Sequence, residues 1–198
     1  MRILAAFKTR NSVEALTQVA LYDLLSYLRS KAVTVLGEFD HEMVFEPILL
    51  ACADPTREVR AAAARSLTKL TFDRADAWTR LAELNEEGRI VAAARAAVES
   101  GFVEMSFERM IHRDHKHAYE AFSLMALLIN AGETAKLFNA LENHQNITVR
   151  KAILHAVKVV KNPKALEGLY NLLEKGTMPP EFQEEIDKTI EEISCVTV

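Results

Sequence analysis

The sequence predicts an all-α fold: a right-handed α-solenoid (an α-α superhelix) of about five helix pairs behind an N-terminal helical cap. Three observations carry this. Gly and Pro number only 6 and 5 in 198 residues, while the good helix formers Ala, Leu and Glu are plentiful. Apolar residues recur at helical spacing along most of the chain. One helix–turn–helix pattern also returns at a period of about 30 residues.

Residues 1–40 fit the pattern least and read as a helical cap or an irregular first repeat. The opening Met-Arg-Ile-Leu-Ala-Ala-Phe suits such a cap. Asn11 and Ser12 start an amphipathic helix predicted to run to about Arg29, with Leu16, Val19, Leu24 and Leu28 on its apolar side. Residues 31–40 read as an irregular link. The array proper is expected over 41–198, with repeats at about 41–70, 74–100, 103–130, 134–161 and 163–194.

The clearest repeat is Glu46 to Leu70, EPILLACADPTREVRAAAARSLTKL. Its first helix (the A helix) runs from Met43 to Ala53 and is interrupted by Pro47. Asp54 is expected to cap the second (the B helix), with Pro55 in the first helical position, where a missing N–H costs nothing. Val59, Ala62, Ala63, Ser66, Leu67 and Leu70 then share one stripe. Later copies place Asn85, Asp114 and His144 against Asp54, and Ile90, Tyr119 and Val149 against Val59. A weaker last copy has Phe182, Ile186 and Ile190. The A helices are expected at 74–84, 103–111, 134–143 and 163–175. Gly101, Gly132 and Gly176 close helices, and Asn162–Pro163 opens one.

These residues resemble the HEAT-repeat family, in particular its short repeats of the phycobilisome-lyase-like type. Pro47, Asp54–Pro55, Val59–Arg60, Ala63 and Leu67 stand where the family pattern wants them, and Thr148–Val149–Arg150 with Ile153 and Val157 is the next-best copy. The resemblance implies a ladder pairing each turn Asp with the Arg after the valine, broken where Val91 and Glu120 replace that Arg. It also implies a binding scaffold whose partners lie on the concave face of the B helices. Two enzymatic roles exist on similar folds, the bilin lyases and the alkylpurine DNA glycosylases. The first rests on repeat similarity alone. The second asks for more aromatic stacking and basic charge than one Trp and a net charge of -4 supply.

Composition narrows the rest. With 49% hydrophobic and 26% charged residues the chain is globular. No apolar run is long enough to span a bilayer, and no signal-peptide cleavage pattern follows the N-terminus. Cys52 and Cys195 form no spaced motif, so a reducing, cytoplasmic setting is expected. There is no Gly-rich phosphate loop, nucleophile elbow, HExxH or CxxC. Glu184, Asp187 and Glu191 share a helical face that reads as solvated. Trp78 reads as core, as do Phe102, Phe107, Tyr119, Phe122 and Phe138. The stretch IHRDHKHAYE (Ile111 to Glu120) looks like a ligand set in His112, Asp114, His115 and His117. It reads better as an A-to-B turn in which Asp114 caps the B helix. No catalytic residue, cofactor or metal is expected.

The expected site is the outward face of the B helices, with Val59 and its counterparts pointing inward. Arg57, Arg65 and Arg95 then face out, as do Lys151, His155 and Lys158. The helix between them, AYEAFSLMALLI, is apolar nearly all round. Either it is buried on every side, or Leu124, Met125 and Leu128 form an exposed strip flanked by these cations. The strip would suit an acidic amphipathic segment of a protein partner, with neither membrane nor nucleic acid involved.

Overall fold

The structure is a computed structural model that describes residues 9–39 and 41–196; the opening residues of the cap or irregular first repeat expected at 1–40 lie outside them. Among the described residues there are twelve α-helices and no strand, so the fold is all-α. The chain divides into two compact units, Met1–Ala77 with Arg95–Gly101 and Trp78–Ala94 with Phe102–Val198.

In the first unit, α1 (Arg10–Tyr22) starts at Thr9, whose hydroxyl accepts from the Ser12 amide at 3.3 Å. The single helix expected to reach Arg29 is in fact two. Asp23 adopts an extended backbone and its Oδ1 accepts from the Leu25 amide at 2.8 Å, turning the chain into α2 (Ser26–Leu36). Leu24 belongs to this turn and is 96% exposed, not on an apolar face. Residues 10–36 are therefore a helix pair in their own right. After a 3₁₀ turn (Glu42–Val44) come α3 (Phe45–Ala51) and α4 (Arg57–Leu67). Pro47 does not interrupt α3, because it lies in the first turn, where amides have no intrahelical acceptor. α1 packs on α2 and α3, and α2 on α4, so A stacks on A and B on B. Leu16, Leu36, Ile48 and Leu49 are fully buried between them. Cys52 is buried too, and burial pushes its thiol up to about 12.

The turn into α4 differs from expectation in a way that matters. The cap residue is Thr56, and Pro55 lies before the helix. Asp54 instead accepts from the Thr56 amide at 2.7 Å. Its carboxylate is held by Arg29 of the preceding pair, Nε to Oδ2 at 2.7 Å and Nη2 to Oδ1 at 3.0 Å. Arg60 reaches only the carbonyls of Asp54 and Pro55. The rung of this ladder thus runs from Arg29 of the preceding pair, which holds in α2 the place that Arg60, the Arg after the valine, holds in α4, four residues after the cap. The Arg29 and Asp54 side chains are only 12% and 7% exposed. Burial alone would push the Asp54 carboxyl up. The Arg29 hydrogen bonds and the Thr56 amide outweigh it and hold the group below the usual carboxylate range.

Two helices, α5 (Arg74–Ala82) and α6 (Glu87–Glu99), run across the division between the units. The second unit continues with α7 (Phe102–Phe107), a 3₁₀ turn (Glu108–Ile111) and α8 (His115–Ala131). Next come α9 (Ala135–Asn143), α10 (Ile147–Val160), a 3₁₀ turn (Pro163–Ala165), α11 (Leu166–Lys175) and α12 (Pro180–Val196). The B helices α8, α10 and α12 stack in order, and the A helices α9 and α11 pack on each other. α8 and α11 end in left-handed glycines, Gly132 and Gly176, as expected. Trp78 is core, its ring edge-on to Phe102 at 6.4 Å. Arg150 stands four residues after its helix cap, as Arg29 does. It donates to the Leu141 carbonyl at 2.6 Å and lies over the Phe182 ring at 4.7 Å. In α8 the tie is instead Glu120, which accepts from Arg109 at 2.8 Å.

α9 and α11 approach so closely that a Cβ at Gly168 would stand 2.1 Å from the Phe138 ring. Gly168→Ala is therefore expected to cost about 1–3 kcal/mol in urea unfolding, although alanine favours helices elsewhere. For Asp54 the sign follows from its lowered value. Its stabilising contribution is present above the unfolded carboxylate range, about pH 4, and is lost as pH falls through the lower folded value. Urea titrations at a series of pH values should show wild type converging on Asp54→Asn as the pH drops below that range.

Candidate functional site

The orientation of each B helix follows from where its cap sits. α8 is capped by Asp114, whose Oδ1 accepts from the Lys116 amide at 3.0 Å, and α10 by Asn146, which accepts from Thr148. Asp114 is thus a helix cap, as the sequence indicates. However, the capping residue of α4 is Thr56, not Asp54. The proper counterpart of Asp114 is Thr56, and the counterpart of Val59 in α8 is His117, not Tyr119. The sequence alignment is off by two residues there, which is about 200° around a helix.

This shift relocates the exposed face of α8. Leu124 is 1% exposed, and Met125 and Leu128 are fully buried. They occupy the places of Ser66, Leu67 and Leu70 in the first unit's stripe and cannot meet a partner; the expected apolar strip is core. The residues that do face outward are Tyr119, which is 53% exposed, with half-buried Phe122, Ala126 and Asn130 one, two and three turns on. Tyr119 and Phe122, expected in the core, lie outside it.

Across from them α10 presents His155 and Val159, α5 presents Thr79, and the turn after α5 presents Glu83. Together they line a groove of about 530 Å³. Val159 is 64% exposed, and His155 meets the Phe122 ring edge-on at 6.1 Å. The Thr79 and Ser123 hydroxyls are 3.0 Å apart on its floor. Asn130 closes one end by donating to the Ala82 carbonyl at 3.1 Å and accepting from Asn162 at 3.0 Å. Both ends of its amide are engaged, and Glu83, His155 and the Tyr119 hydroxyl form the polar rim.

The remaining expected site residues fall out as follows. Lys151 is exposed one turn before His155 on α10. Lys158 is on the same helix but bonds Glu192 of α12 at 2.7 Å. That bond, joined by Lys161, holds the glutamate below its ordinary range. Arg57, Arg65 and Arg95 are exposed and belong to the first unit. A second cleft of about 700 Å³ between α9 and α11 is rimmed by Lys164 and Lys175, bonded to Glu87 and Glu142 at 2.8 Å.

In the histidine stretch, the His112 and His117 rings stand 4.9 Å apart, and His117 Nδ1 is 3.3 Å from the Asp114 carboxylate. The Lys116 amide, with His117 and His112 behind it, holds the Asp114 carboxyl below its usual range. Among the described residues no three His, Cys, Asp or Glu side chains gather as a metal site would require. No helix among them is long and apolar enough to cross a membrane.

The family model for HEAT repeats matches residues 3–99. Over these residues the chain belongs to the HEAT-repeat family. The match begins in the region that sequence reading treats as a cap, in keeping with the helix pair formed by α1 and α2. Comparison with the curated proteins gives no match. Among solved structures, the crystal structure of an engineered protein is similar at 16% identity and a TM-score of 0.31, over 93% of this chain and 97% of that one. HEAT repeats generally mediate protein interactions.

Truncation separates floor from face. Leu124→Ala is expected to cost about 2–5 kcal/mol. Val159→Ser is expected to stay within about 0.5 kcal/mol of wild type. Chemical denaturation of both variants checks the assignment, and a costly Val159→Ser would place that residue in the core.

Proposed function

We propose that this HEAT-repeat protein is a non-catalytic interaction module that holds a segment of a protein partner in the groove between α8 and α10. The observation that carries the reading is the exposure of Tyr119 and Val159 on facing helices, above half-buried Phe122 and Ala126. Covering a large apolar side chain fully is worth about 1.5–3 kcal/mol, so this groove gains most from an apolar occupant. The occupant we favour is an amphipathic segment with its apolar side chains in the groove and its carboxylates toward Lys151 and His155. Glu83 on the opposite rim would repel a carboxylate and so fix the direction of the segment. Lys158 contributes less, since Glu192 already holds it.

The test pairs capture with stability. Tyr119→Ser combined with Val159→Ser should leave the melting temperature within a few degrees of wild type. The same variant should lose, by about tenfold or more, the proteins that wild type retains from a native lysate. Retention unchanged in the double variant would move the binding surface elsewhere.

A further inference from the structure

Four A-to-B turns share one device, a side-chain acceptor two residues before the cap that receives the cap residue's backbone N–H. Only its chemistry differs between the units. In the first, Asp23 accepts from Leu25 at 2.8 Å and Asp54 from Thr56 at 2.7 Å. In the second, His112 Nδ1 accepts from Asp114 at 3.0 Å and His144 Nδ1 from Asn146 at 3.1 Å. A carboxylate keeps its acceptor through mild acid. An imidazole accepts through Nδ1 only while neutral, and its protonation puts a hydrogen on the very lone pair that the turn uses. Donor then faces donor.

We infer that His112 and His144 form an acid-sensitive latch on α8 and α10, the two B helices that line the groove. Mild acidification releases the first turn of each helix and disturbs the face they present. The effect on partner binding rests on the groove reading given above; the latch itself does not.

The surrounding charges do not replace the lost acceptor. His112 faces Asp114 and the His117 ring, with Arg113, His115 and Lys116 in the same turn. The Asp114 carboxylate is committed to the Lys116 amide and to His117. From the 3₁₀ turn packed on α8, Arg109 is held by Glu120. His144 has the Phe107 ring edge-on at 6.0 Å and Glu108 Oε1 3.6 Å from its Nε2. That nitrogen carries a hydrogen whenever Nδ1 is the acceptor, so Glu108 serves both protonation states. Arg150 is turned to the Leu141 carbonyl. His41 makes the same kind of bond, to the Met43 amide, but at the start of an A helix.

The test needs no partner. Wild type and a double variant, His112→Asn with His144→Asn, are melted at about pH 7.5 and about pH 5.5. Asparagine offers an Oδ1 acceptor at either pH, as the aspartates of the first unit do. Wild type is expected to lose about 4–8 °C more on acidification than the variant, if each turn is worth about a fivefold change in the folding equilibrium. Equal losses would overturn the latch. In wild type alone, the amide resonances of Asp114 and Asn146 should move together with the ring signals of His112 and His144, while those of Leu25 and Thr56 stay in place. Rings that titrate past unmoving amides would overturn it too, even if the variant fails to fold. Failure of the groove reading would appear only as unchanged capture by the Tyr119 and Val159 variant at constant pH.

Discussion

A helix start leaves its first amides without an intrahelical acceptor, and in this chain the side chain that accepts the cap amide decides the rotation of every B helix it governs. Asp23, Asp54, His112 and His144 each accept the amide of the residue that becomes the cap. Once the cap is set, each following side chain advances by about 100°, so the inward stripe is settled within one turn. In α8 this puts Leu124, Met125 and Leu128 inside and leaves Tyr119 and Phe122 to line a groove. Burial, packing and the candidate site all descend from that one bond.

The parts legible in the sequence are those that local chemistry determines. Helix content, the period, the glycine stops at Gly132 and Gly176, the Asn162 cap and the buried Trp78 all follow from residues close together in the chain. Other features escaped, two of them with consequences for the site. The break after Tyr22 hides because apolar residues continue through Leu24 and Leu25, and only the Asp23 side chain, bonding forward, marks the turn. The face of α8 escaped because residue type was matched in place of role. Asp54 and Asp114 are both turn aspartates, yet one supports a cap and the other is the cap. The bonding of a cap side chain to the amide two residues on was the signal, and the sequence does not print it.

Neighbouring pairs are tied together by more than apolar contact. Arg29 reaches from α2 into the next turn, and Arg150 reaches from α10 to the ring of Phe182 in α12. Both stand at the same helical position, four residues after the cap. The polar tie in the first unit is largely shielded from water, where losing one partner strands the other. Such a tie penalises any slip between pairs more steeply than apolar packing does, since leucines tolerate small displacements and a bidentate carboxylate does not.

The placement of the two thiols has a practical side. Cys52 is enclosed in the first unit with its thiol held protonated, while Cys195 lies exposed on α12 in the second. An alkylating reagent therefore meets one sulfur at once and the other only when the first unit opens. The native chain carries its own opening clock, with a reference mark built in, and needs no engineered label to read the breathing of one unit by itself.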